Sequence, residues 1–397
     1  MNDTVRQFRD FFVSLKLTVV LLVLGMILVF VATLDQVNLG IWAVQEKYFR
    51  SFFVLWRVGE VSIPVFPGGY LVGGFLVVNL VSAHLYRFKR GWKKLGIEMT
   101  HLGLILLLIG ELLTGLWQED YNMRLTQGEP KNYAQSFHDN ELAIVDATDP
   151  KFDDVVVVPE HVIANKRPVQ HAKLPFRVEF RGYYPNAAVR ERPEGTPAPA
   201  VNLAAGSTQG LGTSLIASPL PKTYKQDDRN LPAALVELIA PEGSLGQWFV
   251  SANPGMPPQR IQHGGRTYTI ALRFTRAYKP FTLTLLKFSH DRYAGTEIPK
   301  NFSSRIKLTT PDGRDDREVL IYMNNPMRYG GRTFYQASYD PNDPNVTVLQ
   351  VVRNPSWLIP YIACSLMTLG LLVQFGIHLV GFIRKRRLIL KTQPASR

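Results

Sequence analysis

The sequence predicts an integral membrane α-helical protein with four transmembrane helices and a large extracytoplasmic β-rich domain. Four apolar stretches are long enough to cross a bilayer, and the polar middle of the chain alternates β-branched and aromatic runs with turn residues. Of the 397 residues 46% are hydrophobic, yet the mean hydropathy is close to zero. Such an average arises when strongly apolar segments and a water-facing domain share one chain.

The basic residues predict on which side of the membrane each segment between the spans lies. Two basic clusters, at 87–96 and after residue 383, place those segments in the cytoplasm by the positive-inside rule. The predicted segments are a cytoplasmic N-terminus (1–16), a first span (17–34), an extracytoplasmic amphipathic segment (35–68), a second span (69–86), a basic cytoplasmic loop (87–96), a third span (97–117), the extracytoplasmic β-rich domain (118–356), a fourth span (357–383) and a basic cytoplasmic tail (384–397). Both termini are therefore expected in the cytoplasm.

The net charge of +13 is assigned to these topology signals and to contact with membrane lipids, not to nucleic acid. The first apolar run, 17–34, also fits a secretory signal peptide, but it lacks a convincing small-residue cleavage site and further spans follow. We therefore expect an uncleaved helix. Residues 35–68 mix aromatic and charged side chains, which fits either an amphipathic helix at the membrane surface or an ordinary loop helix.

The β-rich domain contains a hairpin candidate and an irregular part. The letters PDGRDD at 311–316 separate two strand-like runs, whereas 185–232 is rich in Pro, Ala, Gly and Ser and predicts a long irregular insertion between two β lobes. The single cysteine, Cys364, excludes an internal disulfide. The sequence contains no phosphate-binding loop, dinucleotide fingerprint, nucleophile elbow or zinc-type Cys/His spacing, so the common motifs of soluble enzymes are absent.

The third span, IEMTHLGLILLLIGELLTGLW, carries the clearest functional signal. Glycines recur at every seventh position, Gly96, Gly103 and Gly110, which predicts a stripe where a neighbouring helix approaches closely. The span also contains three ionisable residues, Glu98, His101 and Glu111. Ionisable groups within a membrane segment are costly and usually mark a site.

Three spans each place one histidine in the inner leaflet: His84, His101 and His378. Histidine nitrogen is a common metal ligand and an axial haem ligand. Alternatively, His101 forms a structural hydrogen bond, for example to Glu98 one turn back, and His84 is an interfacial residue. The five histidines of the β-rich domain are interpreted mainly as surface groups.

Four stretches resemble a known family: ATLDQVNLGIWAVQEKYFRSFFV from Ala32, MTHLGLILLLIGELLTG from Met99, FSHDRYAGTEIPKNFSSRIKL from Phe288 and IYMNNPMRYGGRTFYQASYD from Ile321. They resemble the ResB/CcsB proteins of the System II cytochrome c maturation pathway. The order of spans and the β-rich domain resemble that family as well, and the likeness is weakest over 185–232.

The resemblance implies a subunit that helps to carry haem b across the bacterial cytoplasmic (inner) membrane and presents it for covalent attachment to apocytochrome c. His101 matches the family's haem ligand in the third span, and His84 is a second candidate for haem binding. The implied partners are a ResC/CcsA-type membrane protein, apocytochrome c and a thiol reductase. The chain would be non-catalytic alone, as a subunit of a haem lyase complex with a periplasmic domain.

Two other functions fit parts of the sequence. A non-haem-binding membrane scaffold would dock a partner or apocytochrome c through the β-rich domain. A transporter would use Glu98, His101 and Glu111 as a proton relay, but it leaves the β-rich domain unexplained, and four spans without a repeat are few for such a carrier.

Overall fold

The computed structural model describes residues 3–58, 61–86, 91–149, 152–193, 201–223, 229–292, 299–340 and 343–392. The chain divides into two compact units, one of residues 1–119 with 353–397 and the other of residues 120–352. The helices of the described residues are α1 (Asp3–Phe12), α2 (Leu15–Leu39), α3 (Ile41–Val44), α4 (Gly69–Tyr86), α5 (Leu95–Trp117), α6 (Glu160–Ala164) and α7 (Ile359–Thr392).

Four helical segments are long and apolar enough to cross a membrane. They are Leu15–Leu39, Gly69–Tyr86, Trp92–Trp117 and Ile359–Leu388. The prediction of four membrane-length helices beside a large β-rich domain is thus confirmed. The last helix continues to Thr392, into the segment predicted as a tail, because Lys, Arg, Leu and Ile favour a helix and neither Gly nor Pro interrupts residues 382–392. Residues 87–90 of the predicted basic loop and 393–397 of the tail lie outside the described residues.

Residues 35–68 form neither of the two helices that the sequence left open, a membrane-surface helix or a loop helix. Helix α2 extends to Leu39, α3 is a single turn, and residues Gln45–Phe49 form a π-helical turn. The rest is a hairpin of β1 (Phe53–Val58) and β2 (Val61–Pro67). Its β-branched and aromatic residues favour strands, and the prolines of β2 exclude a helix interior.

The β-rich unit contains fifteen strands among its described residues. They are β3 (Glu119–Thr126), β4 (Pro130–Asp146), β5 (Asp154–Pro159), β6 (Arg177–Tyr184), β7 (Ala187–Glu191), β8 (Leu215–Pro219), β9 (Ala233–Ala240), β10 (Gly243–Ser251), β11 (Gln259–His263), β12 (Arg266–Arg292), β13 (Pro299–Thr309), β14 (Asp316–Tyr322), β15 (Met327–Tyr329), β16 (Arg332–Asp340) and β17 (Asp343–Arg353). The strands β13 and β14 pair in antiparallel register around the turn at 310–315, which confirms the predicted hairpin.

The main sheet has ten strands in the order β14-β13-β12-β4-β3-β17-β16-β15, with β11 beside β12 and β5 beside β4. A three-stranded sheet of order β10-β9-β6 packs against the part of β4 and β12 that carries Leu142 and Ile270. The long strands β4 and β12 therefore contribute to two apolar cores. One core includes Leu142, Val236 and Ile270, and the other includes Ala134 and Leu283.

Residues 185–232 are more ordered than predicted. Strands β7 and β8 pair in antiparallel register within this segment, and a third apolar cluster forms around Ala187, Ala204 and Ala217. Alanine side chains lack the size that marks a core residue in a sequence, yet these three are fully or almost fully buried. Residues 194–200 and 224–228 of the predicted insertion lie outside the described residues.

Candidate functional site

The glycine stripe of α5 packs directly against α7. A Cβ atom added at Gly96 would lie 2.4 Å from the carbonyl oxygen of Gly370, and one added at Gly103 would lie 2.8 Å from the carbonyl oxygen of Ala363. At Gly110 it would lie 2.7 Å from the Ile359 side chain. The predicted close helix approach is confirmed, and the stripe fixes which side of α5 is covered by α7.

His101 lies on another side of α5 and meets α4. Its imidazole and that of His84 are in edge contact, with ring centroids 5.3 Å apart and planes at 85°. Both side chains are half-buried. The sequence predicted these two histidines in the same leaflet, and in the structure their rings are in contact.

Glu98 precedes His101 by one helical turn. One of its carboxylate oxygens, Oε1, is buried and has no hydrogen-bond partner in the described part of the chain. Buried polar atoms are rarely left in this state in a complete assembly. Thus the surroundings of His101 combine an imidazole pair with a carboxylate whose hydrogen-bonding capacity is not filled.

The other sequence candidates lie elsewhere. His378 contacts Gln374 one turn earlier in α7, with 2.9 Å between Nε2 of each side chain. The Glu111 side chain is exposed on the surface of this chain, so the structure does not line up Glu98, His101 and Glu111 as a buried relay.

The β-rich unit contains a histidine that sequence reasoning treated as a surface group. His290 is half-buried, its ring centroid lies 4.6 Å from that of Tyr339 and 4.7 Å from that of Phe302, and its Nε2 is buried without a hydrogen-bond partner among the described residues. Phe302 is the direct partner of His290 across β12 and β13, but Tyr339 is distant in sequence, so the sequence alone does not reveal the full aromatic surroundings of His290.

Comparison with known proteins agrees with the resemblance. The ResB-like family model matches residues 239–346, from the end of β9 into β17. The chain is also 37% identical to Protein NrfI of Wolinella succinogenes over 93 residues, which are 23% of this chain and 10% of that protein. The alignment therefore spans about a tenth of the relative's length, and the family match lies within the β-rich unit, outside the helices that carry His84 and His101.

Proposed function

We propose that this chain is a ResB/CcsB-like subunit of a System II cytochrome c biogenesis complex. Its role is to help carry haem b across the bacterial inner membrane and present it to apocytochrome c. The family match and the similarity to Protein NrfI support a role in cytochrome c biogenesis. In this proposal both termini are cytoplasmic and the β-rich unit is extracytoplasmic, as the basic clusters indicate.

The observation that carries the haem proposal is the position of His101 within a packed membrane-length helix. The glycine stripe packs on α7 and leaves His101 on a different side, beside His84 on α4. An ionisable ring in hydrocarbon costs free energy unless it has a function or a partner. Iron ligation by imidazole supplies such a function.

We assign the opposite axial position to a ResC/CcsA-type partner. A macrocycle ligated by both histidines of this chain would lie between their rings, but the rings of His84 and His101 are in contact. His84 therefore acts as a neighbour that orients the His101 ring. The unfilled carboxylate oxygen of Glu98 also fits a site completed by a second chain.

The test is the pyridine haemochrome spectrum of the chain co-purified with its ResC/CcsA-type partner. The variant His101→Ala should lose or shift the haem signal and should lower cytochrome c yield. His378→Ala is the matched control, since His378 bonds Gln374 and lies on α7, and it should keep the signal. An unchanged spectrum in His101→Ala would contradict ligation and favour a scaffold that docks a partner without binding haem.

A further inference from the structure

A cationic and aromatic patch lies on the outer face of the main sheet, where β3, β4 and β12 run side by side. Along β4, Ala134 is fully buried in the core. Since successive side chains of a strand point to opposite faces, the flanking residues Lys131, Tyr133 and Gln135 point outward. We call Arg124, Lys131, Tyr133, Arg276 and Tyr278 the β4 patch.

Two tyrosines form the centre of the β4 patch. Tyr133 and Tyr278 are directly opposite each other across β4 and β12, and their ring centroids are 5.6 Å apart. Tyr278 is 52% exposed. Two cations lie over the Tyr133 ring, with the Arg276 guanidinium carbon at 4.2 Å and the Lys131 Nζ at 5.2 Å from its centroid. Cation–π contact holds both charges beside an aromatic surface.

The positive charge of the patch exceeds its local counter-charge. Asp340 pairs with Arg124 at 2.7 Å, and Glu129 is the carboxylate that favours the charged form of Lys131. Arg276 forms no ion pair with a described residue, and its Nε is buried without a hydrogen-bond partner there. Burial lowers the pKa of Lys131, and the nearby Arg124 and Arg276 guanidinium groups lower it further.

This arrangement favours a particular class of ligand. A partly buried guanidinium whose Nε has no hydrogen-bond partner is stabilised by a carboxylate, and the exposed Tyr278 ring beside it offers a surface for a flat apolar body. An acidic peptide would satisfy the cations but would leave the aromatic surface uncovered. A dicarboxylate porphyrin combines both features in one molecule.

We propose that the β4 patch binds a porphyrin through the porphyrin's carboxylates, with Lys131 and Arg276, held over the Tyr133 ring, as the anion-binding residues and Tyr278 as the aromatic surface. The inference rests on the proposed function, because that function supplies haem as the cargo. It adds a binding site in the β-rich unit, separate in sequence from the His101 helix.

The test uses the full chain in detergent and metal-free protoporphyrin IX, followed by fluorescence titration. A porphyrin without iron has no axial ligand position, so binding at the β4 patch is measured independently of His101. The double variant Lys131→Gln/Arg276→Gln should bind roughly tenfold more weakly, as expected for the loss of charge-assisted hydrogen bonds. The dimethyl ester of protoporphyrin should also bind weakly to the unmodified chain.

Two control variants separate the patch from general effects. Arg305→Gln/Lys307→Gln removes the same charge from β13, where each cation faces a carboxylate, and should retain affinity. Arg276→Lys keeps the positive charge and should retain most of the affinity for protoporphyrin IX. Thermal unfolding of each variant shows that its fold is intact. His101→Ala should bind protoporphyrin IX normally.

Equal affinity of the unmodified chain and the double variant would overturn the proposal, as would equal binding of the acid and its dimethyl ester. A glutamate-rich peptide that binds the patch where protoporphyrin IX does not would likewise overturn the porphyrin assignment. Loss of haem in His101→Ala with normal protoporphyrin binding supports both proposals. Normal haem in that variant with patch-dependent porphyrin binding would contradict only His101 ligation.

Discussion

Asn79 shows how a single polar residue organises the first helices. It is 1% exposed in the middle of α4, and its amide nitrogen donates to the carbonyl oxygens of Phe12 at 2.7 Å and Ser14 at 3.2 Å. Its Oδ1 accepts a hydrogen bond from Thr18 at 2.6 Å. These bonds fix the elbow between α1 and α2 against α4.

We expect Asn79→Leu to destabilise the helical unit by about 1–3 kcal/mol, because it leaves the Phe12 carbonyl oxygen at the elbow without the donor that Asn79 supplies. Unfolding of the full chain in SDS, followed by circular dichroism, measures the loss. Thr33→Val is the matched control, since the Thr33 hydroxyl donates to the Val29 carbonyl within its own helix. Equal unfolding of both variants would show that the elbow is held by packing alone.

Glu237 in β9 gives the β-rich unit an acid-sensitive contact. The Ser244 hydroxyl, and then the Arg181 guanidinium, hold the pKa of Glu237 below its ordinary value of 4.5. A carboxyl with a lowered pKa stabilises the fold above its ordinary pKa, and this contribution disappears as the pH falls through the folded value.

The variant Glu237→Gln should therefore lower the melting temperature at pH 7, and its difference from the unmodified chain should shrink below about pH 4. Thermal unfolding across a pH series measures this. Glu318→Gln is the control, because Glu318 is exposed and 3.8 Å from Arg305, and it should change little at any pH. A pH-independent difference for Glu237→Gln would assign its effect to the hydrogen bonds alone.

At the scale of elements, helices α5 and α7 are in contact because their backbones approach each other closely at the glycines of α5. A methyl group at Gly96 would meet backbone atoms of α7, with the Gly370 carbonyl oxygen at 2.4 Å and the Gln374 nitrogen at 2.6 Å. Backbone atoms cannot rotate away as a flexible side chain does. The two helices would have to move apart.

We expect Gly96→Ala to destabilise the helix pair by about 1–3 kcal/mol, the usual cost of overpacking. Gly74→Ala in α4 is the matched control, because a Cβ atom there meets nothing within 4 Å, and a helix interior favours Ala over Gly. SDS unfolding should separate the two variants, with Gly74→Ala at least as stable as the unmodified chain. Similar destabilisation by both would contradict a packing origin.

The elements also show what the sequence can predict. Hydropathy and seven-residue glycine spacing are local patterns, so they predicted the membrane-length helices and the close face of α5. They did not identify α7 as the helix that packs on α5, because Gly370 of α7 is distant in sequence from Gly96 of α5. The contact of His84 with His101 depends on helix rotation, and the core at 187–217 is built of alanines, so neither has a local signature.

At the scale of the whole molecule, the basic clusters predict the direction of every span. Because Cys364 is the single cysteine, a Cys364→Ser background allows labelling at one chosen position. Lys287→Cys in β12 should react with a membrane-impermeant maleimide in intact cells. Leu388→Cys near the end of α7 should react only after permeabilisation, because positive flanking segments remain in the cytoplasm. The opposite labelling pattern would reverse the proposed topology.

The contact of α5 with α7 also has a consequence for synthesis. Asn354, just before α7, bonds Thr114 of α5 across a separation of 240 residues. A ribosome that has completed α5 must therefore make the whole β-rich unit before the helix that covers Gly96, Gly103 and Gly110 exists. Throughout that interval the glycine face needs lipid or an insertion factor beside it, and the contact between α5 and α7 forms only after α7 has left the ribosome.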